Sequence, residues 1–444
     1  MAVVVVVGAG FGDEGKGSIT DHLTRKHKAG TVIRFNGGPQ AGHNVCLSDG
    51  KHHCFSQFGS GTLAGARTHL SRFCLVNPIS MVPEGKHLME LGVHDAFQRV
   101  TIEEDALIVT PYHVSMNRIR ELCRGNSRHG SCGMGIGETV ADSVAHPYEA
   151  IRARDIVKPQ AVISKLYAIR NRLLEEATIL TQEHPEALDE LSFLKSIVVD
   201  RVYDRFEEIL DRGVTVVSDD YLPQIMSHEE ETFVFEGAQG ALLDEEWGFH
   251  PHTTRSNCTY ENADHLLKGH YSGEVTRIAA LRAYHTRHGA GPFPTEIQGG
   301  PDDPRNKPTP WQQSFRVGNF DLMLASYARA VLGPIDVVAL SHLDQVTYPT
   351  SVCVGYDFPN DMPHYVNPYV EGRIPRVRRS YYEEDLASCR QKGVSYRHPL
   401  SYAIPVYKDV RRQEHLLFEV SQAMKAPVTI LSRGPTAEDK VCLT

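Results

Sequence analysis

The sequence predicts an α/β protein with a central, mostly parallel β-sheet flanked by helices. Residues 3–7 (VVVVV) are an uninterrupted β-branched run, which is the pattern of a parallel strand buried on both faces. A glycine-rich loop and a helix follow, with Ile19 and Leu23 at helical spacing. Short apolar runs then alternate with helical stretches along the chain, which indicates a parallel sheet wrapped by helices.

Each further strand is predicted from a short apolar run. The stretch TVIRFNGG at 31–38 indicates a second strand that ends in a glycine turn. The other predicted strands are at 107–110, 197–199, 214–217, 232–235, 275–280, 335–340 and 427–431. The longest helical stretch is expected between about residues 164 and 210.

A chain of 444 residues can bury a large core, in one big domain or in two. We predict one domain over residues 1–444, with a P-loop-like nucleotide-binding core. Two additions to this core are expected, a helical insertion at about 156–230 and a small peripheral subdomain at about 355–425. The Pro, Gly and Asp content of residues 297–312 is typical of an exposed loop.

Composition argues against several classes of protein. The formal net charge of −9 disfavours broad nucleic-acid binding. The nine cysteines are odd in number and contain no CxxC pair, so we expect free thiols in a reducing compartment. The apolar start lacks a basic region and a cleavage site, and no later run is long enough to cross a bilayer. We therefore expect a soluble, cytoplasmic protein without nucleic-acid or membrane partners.

The stretch GAGFGDEGKGSITD at 8–21 stands where a buried strand passes into a helix. Its glycines and Lys16 have the spacing of a phosphate-binding loop, in which backbone N–H groups and a helix N-terminus attract phosphate. Gly17 departs from the signature, because the usual residue after the lysine carries a hydroxyl. Asp13 is repulsive to polyphosphate unless it binds a metal or acts as a general base. Glu14 is placed where the helix dipole favours a negative charge.

Three other stretches combine glycine turns with polar side chains that no core requires. They are NGGPQAGH at 36–43, FEGAQG at 235–240 and YHTRHGAGPFPTE at 284–296. A fourth stretch, HTTRSNCT at 252–259, has no glycine but is dense in hydroxyl and amide side chains suited to phosphate or base edges. Taken alone, His43 in the first stretch is equally well a surface turn residue.

Together these motifs resemble the adenylosuccinate synthetase family. GDEGKG, NGGxxAGH, EGAQG, TRxGxGPFPTE and a late serine–glycine–proline stretch at 431–435 occur in the family's order and span residues 8–435. The resemblance implies a ligase of purine biosynthesis that uses GTP and Mg²⁺. Such enzymes phosphorylate the 6-oxygen of IMP and then displace the phosphate with L-aspartate. It also implies a homodimer whose partner chain completes the nucleotide site.

The resemblance also implies roles for single residues. The residue matching Asp13 removes the N1 proton of the purine and ligates Mg²⁺, and the carbonyl of Gly42 matches a second metal ligand. Lys16 matches a lysine on the transferred phosphate, His43 matches an acid on the leaving side, and Gln239 completes the catalytic set. The implied nucleotide-binding residues are Gly12, Asp13, Glu14, Gly15, Lys16, Gly17, His342, Asp344, Ser432 and Gly434. The implied substrate-binding residues are Asn36, Gln40, Ser131, Cys132, Gln239, Thr254, Arg287 and Arg316.

The chain departs from the family pattern at several of these positions. Gln40 replaces an asparagine, and Ser131 and Cys132 replace a threonine pair that holds the 5′-phosphate. A thiol is a weak donor, so Cys132 cannot replace that hydrogen bond. The position of a partner-chain arginine aligns with His146, and His342 replaces the lysine of a KLD motif.

In the stretch that grips aspartate in the family, only Arg316 clearly remains of several arginines. Three alternatives therefore stay open: a different 6-oxopurine nucleotide such as dGMP, a different amine donor, or a nucleotide-binding relative without ligase activity. GTP is the expected phosphoryl donor, with ATP as the alternative.

Overall fold

The computed structural model describes residues 2–228, 231–301, 303, 305–306, 310–312, 314–359, 374, 378–392 and 396–443. The chain divides into two units. The first comprises Met1–Val5, Gly17–Ala238 and Glu261–Val275, and the second comprises Val6–Lys16, Gln239–Tyr260 and Thr276–Thr444. The division runs through the first strand, which is buried over its whole length.

The strands in chain order are β1 (Val3–Gly8), β2 (Thr31–Arg34), β3 (His43–Cys46), β4 (His52–Phe55), β5 (Arg67–Leu70), β6 (Leu75–Val76), β7 (Val100–Glu103), β8 (Leu107–Ile108), β9 (Thr215–Val217), β10 (Phe233–Glu236), β11 (Val275–Arg282), β12 (His285–His288), β13 (Glu296–Ile297), β14 (Phe315–Gly318), β15 (Phe320–Asp321), β16 (Val337–Ser341), β17 (Thr350–Asp357), β18 (Ile404–Val410), β19 (Val428–Ser432) and β20 (Lys440–Cys442).

The α-helices are α1 (Lys16–His27), α2 (Pro78–Glu90), α3 (Pro111–Cys123), α4 (Ile136–Ala145), α5 (Ala153–Ile156), α6 (Pro159–Leu180), α7 (Leu188–Ser196), α8 (Val199–Asp211), α9 (Tyr221–His228), α10 (Glu261–Leu267), α11 (Leu322–Leu332), α12 (Arg379–Gln391) and α13 (Gln413–Met424). None of these helices combines the length and the hydropathy that a membrane-spanning segment needs.

The first unit contains the parallel strand series β10-β2-β5-β7-β9. Helices α2, α3, α6 and α8 supply much of its core, through residues such as Met81, Tyr112, Leu166 and Phe206. Fully burying each such side chain contributes ~1.5–3 kcal/mol. In the register of β10 with β2, Glu236 lies opposite Arg34, at the carboxyl ends of both strands. This edge of a parallel sheet is where α/β proteins carry their polar sites.

The second unit contains strands β11, β16 and β19 in parallel, with β20 antiparallel at the edge. Two smaller sheets accompany them, β12-β14-β13 and β15-β17-β18. Asp321 is the N-cap of helix α11, and its carboxylate accepts from the backbone N–H groups of Met323 (3.0 Å) and Leu324 (3.1 Å). The hydroxyl of Tyr356 donates to the same buried carboxylate (2.6 Å). This side chain therefore caps the helix from inside the protein.

The predicted fold class is confirmed, because the series β10-β2-β5-β7-β9 and β11-β16-β19 pair in parallel and helices flank the central sheet. The strand predicted at 197–199 is wrong. Val199, Val202, Phe206 and Ile209 are buried at helical spacing and form one face of α8, so the apolar run is the start of a helix. The strand predicted at 107–110 is shorter than expected, since Thr110 caps α3. The helical stretch at 164–210 is divided among α6, α7 and α8.

Parts of two predicted segments lie outside the described residues. They are the loop at 297–312 and the peripheral subdomain at 355–425, of which 360–373, 375–377 and 393–395 are not described. The predicted boundaries of the helical insertion and the subdomain stay predictions.

Candidate active site

The glycine-rich loop after β1 is folded around the carboxylate of Glu14. This side chain is buried, and it accepts from the backbone N–H groups of Gly10 (3.0 Å) and Gly12 (2.9 Å). The ammonium group of Lys16, also buried, lies 2.5 Å from the same carboxylate. A Cβ on Gly240 would lie 2.3 Å from the carbonyl oxygen of Gly10, so the loop needs a glycine beside it. Glu14 thus binds two backbone N–H groups and the lysine ammonium, the kinds of donor that a phosphate-binding loop uses for phosphate.

Asp13, the neighbour of Glu14, has a different environment. Its backbone has a φ of 61°, and its side chain is 21% exposed. The ring of His288 lies 3.3 Å from the Asp13 carboxylate. Burial alone raises the pKa of Asp13, but the hydrogen bond and charge of His288, with the charges of Arg282 and Lys16, bring it below its ordinary value. Asp13 is therefore ionised and partly open to solvent.

Asp13 and His288 belong to a ring of contacts within the second unit. His288 Nε2 lies 3.4 Å from the side-chain oxygen of Asn306, whose amide donates to Asp303 (3.0 Å). Asp303 accepts from Arg282 (2.8 Å), and Arg282 reaches back to the carbonyl of Asp13 (3.5 Å). Although burial disfavours the charged ring, Asp13 raises the pKa of His288. Sequence reasoning missed His288, whose signal was a histidine at the variable position of the TRxG motif.

In the first unit, His43 is paired with Glu236. The Nδ1 atom of His43 lies 2.6 Å from Glu236 Oε1, and both side chains are buried. Ser60 donates its backbone N–H to Oε2 (2.9 Å) and its hydroxyl to Oε1. Burial raises the pKa of Glu236, but the charges of His43 and Arg34 and these hydrogen bonds outweigh it and lower the pKa to about 2. Sequence reasoning noted this carboxylate at a strand end but did not predict it as a site residue.

Asn36 holds the chain immediately before Gln239. Its side-chain oxygen accepts from the backbone N–H of Ala238 (2.6 Å), and its amide donates to the carbonyl of Ala238 (3.1 Å). Gln239 itself has a φ of 55°. Within the described residues its buried Oε1 atom has no hydrogen-bond partner. An acceptor in this state is suited to a donor supplied by a ligand.

Gly17 lies against the backbone of His43. A Cβ on Gly17 would lie 2.7 Å from the Cβ of His43 and 3.0 Å from its carbonyl carbon. The hydroxyl-bearing residue of the phosphate-loop signature is therefore excluded here by steric contact. Nearby in sequence, both polar atoms of the Gln40 side chain are buried and lack partners among the described residues.

The residues predicted to contact the base of the triphosphate lie at the ends of β16 and β19. Asp344 is exposed, and His342 has a φ of 58°. Burial lowers the pKa of His342 to about 3, so its ring is neutral. The hydroxyl of Ser341 donates to the carbonyl of Glu14 (2.8 Å), which joins this segment to the glycine-rich loop.

Ser432 and Gly434 form a turn after β19. The Ser432 hydroxyl donates to the Gly434 carbonyl (3.2 Å), which also accepts from the ammonium of Lys440 (3.0 Å).

The loop at 130–135 carries Ser131 and Cys132. The N–H groups of Gly130 (3.0 Å) and Ser131 (3.3 Å) donate to the buried carboxylate of Glu121. Asn117 donates to the Ser131 hydroxyl (3.1 Å). Burial raises the pKa of Cys132 to about 11, so its thiol is neutral. As in the glycine-rich loop, an internal carboxylate accepts the backbone donors.

The two arginines predicted to bind substrate are engaged with the protein. Arg287 is 1% exposed, donates to the carbonyls of Pro292 (2.7 Å) and His252 (3.1 Å), and stacks 4.2 Å from the centre of the Phe11 ring. Arg316 pairs with Glu296 (2.9 Å) and donates to the Gly291 carbonyl (2.9 Å).

Thr254, a third predicted substrate residue, is partly exposed and held by a backbone hydrogen bond to Leu243 (2.8 Å).

The predicted site residues are divided between the units. Asp13, Glu14 and Lys16 are together in the glycine-rich loop, which is part of the second unit. The second unit also contains the site residues predicted at 239, 254, 287, 316, 342, 344, 432 and 434. Asn36, Gln40, Gly42, His43, Ser131 and Cys132 belong to the first unit. The described part of the chain contains no group of three or more His, Cys, Asp or Glu side chains placed to hold a metal ion.

Comparisons with known proteins agree with the predicted resemblance. The family model for adenylosuccinate synthetase matches residues 5–441. The adenylosuccinate synthetase of Neisseria gonorrhoeae is 29% identical over 453 residues, covering 99% of this chain and 98% of the relative. That of Mycobacterium leprae is 31% identical over 408 residues, covering 88% and 89%.

Two solved structures share the fold. The fully ligated adenylosuccinate synthetase from Plasmodium falciparum matches with a TM-score of 0.75 at 20% identity, covering 100% of both chains. The succinoaminodeoxyadenylate synthetase of cyanophage S-2L, bound to dGMP and to dATP as an energy donor, matches with a TM-score of 0.60 at 14% identity, covering 99% and 95%.

Proposed function

The chain belongs to the adenylosuccinate synthetase family of carbon–nitrogen ligases, and we propose that it uses GTP to phosphorylate the 6-oxygen of IMP. L-Aspartate then displaces this phosphate, and the product is adenylosuccinate. The observation that carries the proposal is the different environment of two adjacent carboxylates. Glu14 is buried and holds the loop, whereas Asp13 is ionised, ordered by His288 and partly exposed.

Asp13 is the general base in this proposal. An ionised carboxylate on a fixed backbone can accept the N1 proton of a 6-oxopurine, which turns the 6-oxygen into a nucleophile. The contact with His288 fixes its orientation (3.3 Å). The unpartnered Oε1 of Gln239 is suited to a donor on the substrate.

Lys16 and His43 supply positive charge for phosphoryl transfer. Catalysis of this step depends mainly on positioning and on stabilising charge that develops on the phosphate oxygens. The γ-phosphate competes with Glu14 for Lys16, because both anions use the same ammonium group. His43 acts as the acid on the leaving side, with its Nδ1 atom held by Glu236.

The residues present fit a magnesium ion. The Asp13 carboxylate is ionised and partly exposed, so it supplies the hard oxygen atoms that Mg²⁺ prefers. The Gly42 carbonyl is a second ligand by the family resemblance. When bound, the ion neutralises charge on the phosphates.

Asp344 is the selector of the triphosphate base. Its exposed carboxylate can accept two donors from the edge of guanine, an arrangement that adenine cannot match. We expect Asp344→Asn to weaken the use of GTP relative to ATP. An unchanged ratio of kcat/KM for the two triphosphates would contradict this role.

Mass spectrometry of the reaction products tests the proposed reaction. The enzyme is incubated with IMP, L-aspartate, Mg²⁺ and GTP, and the expected product has the mass of adenylosuccinate. Asp13→Ala and His43→Ala should abolish turnover while nucleotide binding is retained. Normal turnover in either variant would contradict the mechanism. A chain that binds nucleotide but releases no phosphate from GTP with IMP would be a non-catalytic relative.

A second candidate is a ligase of the same kind with another amine donor or purine. Arg287 is buried and Arg316 is paired with Glu296, so neither is offered as a clamp for the carboxylates of aspartate. Losing such a clamp lowers affinity by on the order of a hundredfold. Parallel reactions with dIMP, GMP and dGMP, and with ATP for GTP, identify the purine and the donor. Phosphate release without an aspartate adduct would favour a different amine.

A further inference from the structure

We propose that Glu236 is a positioning residue for His43, which it holds with the Nδ1–H group toward itself so that Nε2 faces the reacting phosphate. The assignment rests on the proposed function, since it gives His43 a task in phosphoryl transfer. As an acid, His43 donates the proton on Nε2 while Nδ1 keeps its own, and a carboxylate at Nδ1 orients the ring for this transfer.

The geometry fixes the carboxylate and the ring together. Glu236 Oε1 lies 2.6 Å from His43 Nδ1, and the residue is 0% exposed. An ionised carboxylate only accepts, so the Nδ1 atom of His43 is the donor of this hydrogen bond. Ser60 supplies its N–H to Oε2 (2.9 Å) and its hydroxyl to Oε1. With both oxygens engaged, the carboxylate cannot rotate away from the imidazole.

Strands β10 and β2 support the Glu236–His43 pair. Glu236 ends β10 and lies opposite Arg34 of β2 in the strand register. Arg34 is 2% exposed, and its guanidinium donates to the carbonyls of Ser56 and Phe58 (3.2 Å each). Its charge therefore stays beside Glu236. A buried carboxylate hydrogen-bonded to the Nδ1–H of an imidazole is the arrangement that orients a catalytic histidine in other enzymes.

The backbone of His43 is also held in place. Gly17 packs so closely that it leaves no room for a Cβ beside the backbone and Cβ of His43. Because Glu236 engages Nδ1, the proposal assigns Nε2 to the phosphate.

The kinetic test is Glu236→Gln, which keeps the shape of the side chain and removes its charge. We expect kcat to fall by about 10²- to 10⁴-fold, with the KM for each nucleotide changed by less than about threefold. Glu103→Gln is the matched control, because it makes the same carboxylate-to-amide change at a buried strand end of the first unit whose partner is Arg72 and not His43. Its kcat should stay within about tenfold of wild type. A folded Glu236→Gln enzyme with kcat within threefold of wild type would overturn the proposal.

A second measurement uses the wild-type protein without turnover. In ¹⁵N-histidine-labelled protein, the His43 signals are identified by their loss in His43→Asn. We expect a proton on Nδ1, shifted downfield by its short hydrogen bond, and the absence of that proton would overturn the assignment. This readout does not require ligase activity, so failure of the proposed reaction and failure of the Glu236 assignment are distinguishable. It also stands if Glu236→Gln does not fold.

Discussion

Replacing Gly17 by serine would restore the hydroxyl that phosphate-loop signatures have after their lysine. Gly17 is the second residue of α1, and glycine within a helix is normally about 0.5–1 kcal/mol worse than alanine. On helix propensity alone, Gly17→Ser and Gly17→Ala should therefore stabilise the protein.

The contact with His43 reverses that sign. The new Cβ would lie 2.7 Å from the Cβ of His43, 3.0 Å from its carbonyl carbon and 3.1 Å from its Cα. These are backbone-fixed atoms that cannot rotate away, and overpacking of this kind costs roughly 1–3 kcal/mol. Subtracting the propensity gain of about 0.5–1 kcal/mol leaves a net loss of up to about 2.5 kcal/mol. Because His43 itself must move, we expect kcat to fall by at least about tenfold.

Urea denaturation and steady-state kinetics on Gly17→Ala and Gly17→Ser check this reasoning. Gly355→Ala is the control, since a Cβ there meets nothing within 4 Å, and its unfolding free energy should change by less than about 0.5 kcal/mol. If either Gly17 variant is as stable as wild type and turns over at the wild-type rate, the steric explanation for the missing hydroxyl is refuted.

Three further predictions concern buried polar groups. Glu14→Gln should lower the unfolding free energy by about 3–5 kcal/mol, because Lys16 stays buried without its anion; an unchanged urea midpoint would contradict this. Asn36→Ala should lower the unfolding free energy by about 1–3 kcal/mol, because the backbone N–H and carbonyl of Ala238 lose their partners. A variant as stable as wild type in urea would argue against this role of Asn36. Burial raises the pKa of Asp321 from 3.8 to about 6. Its contribution to stability is therefore present below about pH 4 and lost as the pH rises through 6. The unfolding free energy of Asp321→Asn should therefore rise relative to that of wild type as the pH increases through this window, by up to about 3 kcal/mol. Thermal unfolding at a series of pH values tests this, and a difference between the two proteins that does not change with pH would refute it.

The sequence predicts those features that depend on local pattern. The buried run at 3–7 and the strands near 232–235 and 275–280 follow from uninterrupted apolar residues, and the structure has strands at these places. The run at 197–199 was too short to distinguish a strand from a helix. Val199 is buried together with Val202, Phe206 and Ile209 at helical spacing, so this segment starts α8. The folded protein shows this packing, and the short run alone does not.

The candidate site was predicted in its motifs but not in its pairings. Asp13, Lys16 and His43 were identifiable from their motifs. The partners His288 and Glu236 are distant in sequence, and no spacing rule brings them to Asp13 and His43. The role of Glu14 was also missed, since a carboxylate before a helix predicts a dipole interaction and not a bond to the lysine two residues later.

The internal ion pair of the glycine-rich loop has a consequence for how tightly nucleotides are held. Because Glu14 already satisfies Lys16 and two backbone donors, folding of the loop does not require an anion from solution. We expect a single inorganic phosphate to gain little by replacing one carboxylate with another anion. On the proposed function, a triphosphate, with more charge and more points of attachment, should compete better for Lys16. The internal carboxylate therefore favours weaker phosphate binding than a loop whose lysine has no anion of its own would show.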